Sequence, residues 1–456
     1  MSAEFNALIS NGTWELVPHD PTHNLIGCKW LDVNNAFLHG ILCDTVYMSQ
    51  PPGFVDANLP SYVCKLQKAH YGLKQAPHAW YKELSSFLLS NDFRNATSDA
   101  SLFISTFGSH VIYFLVYVDD LIVIGNNSSL VMQFIATLAR RFSVKDLGSL
   151  HYFLGVEVVP TTTGLFLSQH HYIRDLLLKA KMDGAKEVST PLSPSDNLVL
   201  NDGSPPTDAS QFHQIIGGLQ YLNLTRPNIS FVQFMHQTSE SHRQALKRLI
   251  CYLKGTLYFG LHLSRHSSHR LYAFSNANWA DNRDDRKSTN AYCCVYPSAS
   301  SHTSRKQRSV ARSSTETEYR AIATTTAEIA WIQSLLRKLG ISLPAPPLIS
   351  YDNIGATFYC ANLVLHSRMK QIDINLQFVR DHVSSGLLQV SHVSTVDQLV
   401  DAFTKPLPLL RFQLLRNKIG VSNGTTVLRG RKREPSSKEI TSSSKQSSAI
   451  FHQSQP

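Results

Sequence analysis

The sequence is sparing with charge and has no long apolar run. Charged residues make up 17% of its 456 positions, and the longest apolar stretch near the middle is the eight residues 111–118. A bilayer span needs about 20 such residues, so no membrane segment is expected. The first ten residues, MSAEFNALIS, lack the basic-then-apolar pattern of a secretory signal. The seven cysteines are odd in number and include no Cys-x-x-Cys pair, which argues against a disulfide framework and against a zinc knuckle. The expectation is a non-secreted protein of a reducing compartment, cytoplasm or nucleus.

What is present is an ordinary globular composition. Hydrophobic residues reach 43%, too many for a disordered chain, and the length predicts two to four domains at roughly 100–200 residues each. Lys and Arg exceed Asp and Glu by 43 to 33, a formal charge of +10 that suggests a polyanionic partner. Residues 421–456 hold six basic groups, two acidic groups and nine serines, and are expected to form a disordered basic tail. Helical spacing predicts helices over 76–90, with Pro77 in the first turn, over 129–142, within 211–257 and over 315–339, the last closed by Gly340. Residues 189–210, rich in Pro, Ser and Asp, predict a linker.

The sharpest chemical signal is FLVYVDDLIVIG (114–125). Two adjacent aspartates inside an apolar run cannot both be buried without a counter-charge. A tight hairpin resolves this by burying the strands and leaving Asp119 and Asp120 at the turn. Carboxylates so held suit Mg²⁺, and two such ions about 3.5–4 Å apart serve phosphoryl transfer. An ordinary Asp-Asp turn is the competing reading of this segment taken alone.

YVDD (117–120) resembles the signature of reverse transcriptases. With NGTWELVP (11–18), LDVNNAFLHG (31–40), VYMSQPPGF (46–54), YGLKQAPHAWY (71–81), DLGSLHYFLGVEV (146–158), RSSTETEYRA (312–321) and DQLVDAFTKPLP (397–408), it makes the chain resemble the reverse transcriptase and RNase H part of a copia-type (Pseudoviridae) retrotransposon polyprotein. The resemblance implies an α+β fold: a right-hand polymerase palm with truncated fingers over 1–188, a helical thumb or connection over 189–270, an α/β RNase H-like domain over 271–420, and the tail. It implies a first catalytic aspartate at Asp32, completing a metal-binding set with Asp119 and Asp120. Tyr117 would lie near the primer end, and Gln75 against template and nucleotide. It further implies an RNA template, a DNA primer, RNA–DNA hybrid as substrate, and two Mg²⁺ per active site.

Two departures from the family pattern count against activity. Gly27-Cys28-Lys29-Trp30 runs straight into Leu31-Asp32-Val33, where the family carries a long basic fingers segment that holds the nucleotide's triphosphate. Since positioning and electrostatics supply most of phosphoryl-transfer catalysis, its loss is expected to be severe. In the RNase H region the resemblance places metal-binding carboxylates at Glu318, Asp352 and Asp401, but the fourth position is Asn276, with Asn278 nearby replacing a second aspartate. Gln371 and Asn375 depart further. A neutral amide cannot offset an ion's charge, so a folded RNase H domain with little hydrolysis is expected. The alternative to a polymerase is a decayed or co-opted fragment that at most binds nucleic acid.

Overall fold

The computed structural model describes residues 27–33, 36–49, 58, 63–69, 73–193, 199, 203–205, 208–229, 239–264, 269–296, 299–355 and 373–429. Residues 11–18, 50–57, part of the 189–210 linker, Gln371 and the tail from 430 lie outside them. No helix among the described residues is long and apolar enough to cross a membrane.

The first unit is built from β1 (Gly27–Val33), β2 (Ile41–Ser49), β3 (Val63–Lys68), α1 (Ala76–Ser90), β4 (Arg94–Ala96), β5 (Asp99–Phe107), β6 (His110–Tyr117), β7 (Asp120–Gly125), α2 (Ser128–Arg141) and β8 (Val144–Ser149). Six strands form an antiparallel sheet in the order β4-β5-β6-β7-β1-β8. Strands β2 and β3 form a separate two-stranded antiparallel ribbon. Alternation along the strands divides the apolar residues between two cores. Leu31, Val33, Phe114, Val116, Leu121 and Val123 face α1 and α2, where they meet Trp80, Leu84, Leu88, Phe134 and Leu138. Leu115, Ile122 and Ile124 face the other way, into a larger core. Gly40 is needed where the chain passes α1, since a Cβ there would come within 2.8 Å of the Trp80 main-chain nitrogen.

The middle of the chain supplies β9 (Tyr152–Phe153), β10 (Val156–Thr161), β11 (Gly164–Ser168), α3 (His170–Lys179), α4 (Ala209–Gln220), α5 (Glu240–Gly255) and β12 (Phe259–Ser264). The third unit contains β13 (Tyr272–Asn278), β14 (Thr289–Tyr296), β15 (Ala299–Lys306), α6 (Ser314–Lys338), β16 (Leu348–Tyr351), α7 (Asp373–Ser384), β17 (Gln389–His392), α8 (Asp401–Thr404) and α9 (Leu409–Lys418). Its sheet runs β15-β14-β13-β16-β17, antiparallel through β13 and parallel beyond. With α6 packed on it, this is the RNase H-like arrangement, and the whole is α+β as expected.

Two sequence expectations about boundaries need correction. The tail was expected from 421, yet Val421–Asn423 is a strand, β18, paired to β12, and Val421 is fully buried. It closes the sheet β18-β12-β11-β10-β9, so the middle unit is part sheet rather than wholly helical. Leu115 and Ile122 also share one continuous apolar core with Leu249 of α5 and with Cys293, Leu335 and Leu339 of the third unit. Trp331 and Tyr113 add hydrogen bonds across that seam, to the carbonyls of Ser98 and Leu339. The expected units on either side of 188 and 270 therefore share one packed interior.

Candidate active site

Strand β1 lies between β7 and β8, and its register sets the site. Asp32 stands opposite Asp120 on one side and Lys145 on the other, while Asp120 is also opposite Tyr117. Directly opposed residues share a face with Cβ atoms roughly 4.5–5.5 Å apart, so two carboxylates meet across the strand pair. Asp119 occupies the two-residue turn between β6 and β7. The preceding Val118 has φ +56°, a left-handed conformation that a β-branched residue adopts only under constraint. Two hydrogen bonds hold that turn: Trp80 Nε1 donates to the Val118 carbonyl, and the Val33 N–H donates to the Asp119 carbonyl at 3.0 Å.

The three carboxylates interact electrostatically. Burial first, then the charges of Asp119 and Asp32, push the Asp120 carboxyl up to about 6, against a lowering hydrogen bond from Trp30 Nε1 at 3.2 Å. Burial and Asp119 likewise raise Asp32, with Lys145 opposing them. Among the described residues no Lys or Arg forms an ion pair with any of the three within 4.0 Å. Oxygen donors that crowd one another with no ion-paired cation among the described residues suit a hard divalent ion such as Mg²⁺, so the residues fit the metal set the resemblance implies. Tyr117 is half-buried beside Asp120 and edge-on to Phe153 at 6.3 Å; burial, then nearby Tyr221 and the two aspartates, raises its phenol. Gln75 is exposed at the N-cap of α1, with no capping hydrogen bond from its side chain.

The third unit brings a second set together, with a different outcome. Ser313 caps α6, its Oγ accepting from the Glu316 N–H at 3.1 Å, while Glu316 Oε2 accepts from the N–H of Arg312, the residue before the cap, at 2.8 Å. That leaves Glu318, two residues on, turned inward and buried, with Oε2 lacking any hydrogen-bond partner. Burial, then Asp352 and Asp401, raise the Glu318 carboxyl to about 8, with Lys405 opposing. Asp401, fully buried, already has both oxygens engaged. Its Oδ1 takes the Asn276 amide at 2.7 Å and Lys405 Nζ at 2.7 Å, and its Oδ2 takes Arg411. Asn278 turns its amide to the Thr404 carbonyl at 2.9 Å. Asp401 can only accept here, so Asn276 must present its NH₂ to the site and not its oxygen. These residues do not fit a pair of Mg²⁺ ions.

The Glu318 shift carries a test. A carboxyl raised in the folded state stabilises the fold at low pH, and that contribution is lost as pH climbs from about 4.5 through 8. Glu318→Gln is therefore expected to gain on the wild type as pH rises from about 5 to 9 in metal-free buffer, measured by denaturant unfolding. A difference independent of pH would rule out the buried carboxyl.

The family model described as "Reverse transcriptase (RNA-dependent DNA polymerase)" matches residues 20–194. The retrovirus-related Pol polyprotein from transposon RE1 of Arabidopsis thaliana is 46% identical over 491 residues, covering 92% of this chain and 33% of that protein. The chain belongs to the copia-type retrotransposon Pol family. The corresponding polyprotein from transposon RE2 of Arabidopsis thaliana is 44% identical over 490 residues (92% of this chain, 34% of the relative), and that of TNT 1-94 from Nicotiana tabacum is 34% identical (86% and 30%). The chain thus spans about a third of the length of these curated relatives. A solved foamy viral protease-reverse transcriptase in complex with RNA/DNA hybrid is 13% identical, with TM-score 0.46, covering 84% of this chain and 45% of that one. The aligned length with RE1 exceeds the entire 456 residues of this chain, so the Pol relative carries residues absent here.

Sequence reasoning placed Asp32, Asp119 and Asp120, which the fold brings together, and Glu318, Asp352 and Asp401, which it also gathers. It missed the partners that decide how each set behaves: Trp30 and Lys145 at the first, Lys405 and Arg411 at the second. Only Lys405, four residues after Asp401, left a local trace, the i,i+4 spacing of a helical ion pair.

Proposed function

We propose that this Pol-family reverse transcriptase domain carries one two-metal nucleotidyl-transfer site, formed by Asp32, Asp119 and Asp120, and that the attached RNase H-like domain does not hydrolyse. The observation that carries the reading is the register of β1 with β7, which sets Asp32 against Asp120 beside the Asp119 turn. Mg²⁺ held by these carboxylates would stabilise charge on the attacking and leaving oxygens. Trp30 fixes one oxygen of Asp120, Trp80 fixes the turn that presents Asp119, and Tyr117 offers an aromatic face beside them. The substrates would be an RNA template with a DNA primer, gripped through phosphates and therefore released steeply by salt. Without the fingers segment, turnover would be low because the triphosphate lacks its basic clamp.

A specific observation favours a second reading, nucleic-acid binding without chemistry: capture of Asp401 by Asn276, Lys405 and Arg411 has turned one carboxylate site into a buried ion-pair network. One experiment separates the two. Primer extension on a homopolymer template in Mg²⁺ is expected to be slow yet measurable, and to vanish in Asp119→Asn, while hybrid cleavage stays at background. Extension equal in wild type and Asp119→Asn would defeat the polymerase reading, and salt-sensitive hybrid binding alone would leave the second in place.

A further inference from the structure

A third ligand cluster lies outside both carboxylate sites. Glu157 on β10 meets His170 and His171 at the start of α3. One potential ligand atom from each residue lies within 4.8 Å of the others. We propose that Glu157, His170 and His171 form a binding site for a transition-metal dication of the zinc class, separate from the polymerase metals.

The donor chemistry selects the metal. Two imidazoles and one carboxylate suit Zn²⁺ or Co²⁺, whereas Mg²⁺ prefers oxygen alone. His170 Nδ1 lies 2.8 Å from Glu157 Oε2, and His171 Nδ1 2.9 Å from Oε1. Tetrahedral bonds of about 2.0–2.2 Å separate neighbouring donors by roughly 3.3 Å, so three donors within 4.8 Å of one another can close on one ion by small ring movements. The carboxylate is only 6% exposed, yet among the described residues its ion-pair partners are these two imidazoles, with no Lys or Arg. A helix cap alone would need one oxygen for one N–H, and the His171 N–H does reach Oε1 at 3.2 Å. Both oxygens nonetheless also face ring nitrogens. That N–H orients the carboxylate as an outer partner would in a metal site. His170 is stacked against Tyr258 at 6.1 Å, and the two imidazoles are 3.9 Å apart. His171, 58% exposed, leaves the fourth position open to water.

The ion would tie β10 to the first turn of α3, and through β10 would stiffen the sheet that ends in β18. The test uses the full chain. Co²⁺ titration is expected to give visible absorption bands of a low-coordinate nitrogen–oxygen site at one ion per chain, and Zn²⁺ to displace it and raise the melting temperature. In Glu157→Gln, which retains an oxygen for the cap, and in His171→Ala, an exposed position, affinity should fall at least about tenfold while the far-ultraviolet circular dichroism stays native. A fifty-fold excess of Mg²⁺ should not compete. Bands that persist unchanged in both variants, or no saturable Co²⁺ uptake by the wild type, would overturn the site.

Discussion

Asp120→Asn is expected to lose primer extension by at least about a hundredfold, the scale of a metal's several kcal/mol of charge stabilisation, while making the metal-free fold more stable. The carboxyl is held up to about 6, first by burial and then by Asp119 and Asp32. A raised acid favours the folded state at low pH, and the advantage disappears as pH rises through about 4 to 6. Above that window the ionised group costs the fold about 1–2 kcal/mol, discounted for its partial exposure. The variant should therefore unfold at higher denaturant than wild type at pH 8 in a chelator, and at the same point near pH 4. Added Mg²⁺ should close the gap by stabilising the wild type alone. A variant that loses activity with no pH-dependent gain would mean that neither burial nor the neighbouring carboxylates raise Asp120.

Trp80→Ala should have the largest effect on stability. The side chain is 1% exposed, sits edge-on to Phe142 at 5.2 Å, and donates its indole N–H to the Val118 carbonyl. Truncating a buried tryptophan of this kind costs about 3–5 kcal/mol. Trp80→Phe keeps most of the ring and loses the hydrogen bond, for about 1–2 kcal/mol. The second variant isolates function, since it frees the strained turn that presents Asp119. The expected result is a modest fall in the unfolding midpoint with a disproportionate fall in extension rate at saturating primer. If the two fell in proportion to folded fraction, the turn would not depend on the indole.

Much of the architecture could be read from local pattern, because the forces that set it are local. The 114–125 run alternates faces around a polar pair, and the structure makes it β6, a turn and β7. Helices α1, α2 and α6 fall within a residue of their apolar spacing, with Pro77 opening the first and Gly340 closing the last. What could not be read is non-local. A three-residue strand such as β18 has no periodicity, and its partner lies some 160 residues earlier. Arg411 reaches Asp401 from another helix, so only the Lys405 half of its ion pairing had a local signature. The fused strand β1 is the clearest case. GCKW joined to LDV reads as a junction, yet the pairing runs from Gly27 opposite Gly125 to Asp32 opposite Asp120 without interruption. On the other side of β1 the register with β8 shifts between Lys29 and Leu31, so the join leaves its mark on one edge of the strand alone.

The placement of β18 also bears on synthesis. Strand β12 is complete by residue 264 but its outer partner begins at 421. At roughly 5–20 residues per second a ribosome needs about 10–30 s to deliver it. During that wait β12 offers an unpaired strand edge to any other nascent copy. A shortened chain stopping at 420 would keep every carboxylate named above and leave that edge bare for good, so solubility rather than catalysis would be the first property to fail.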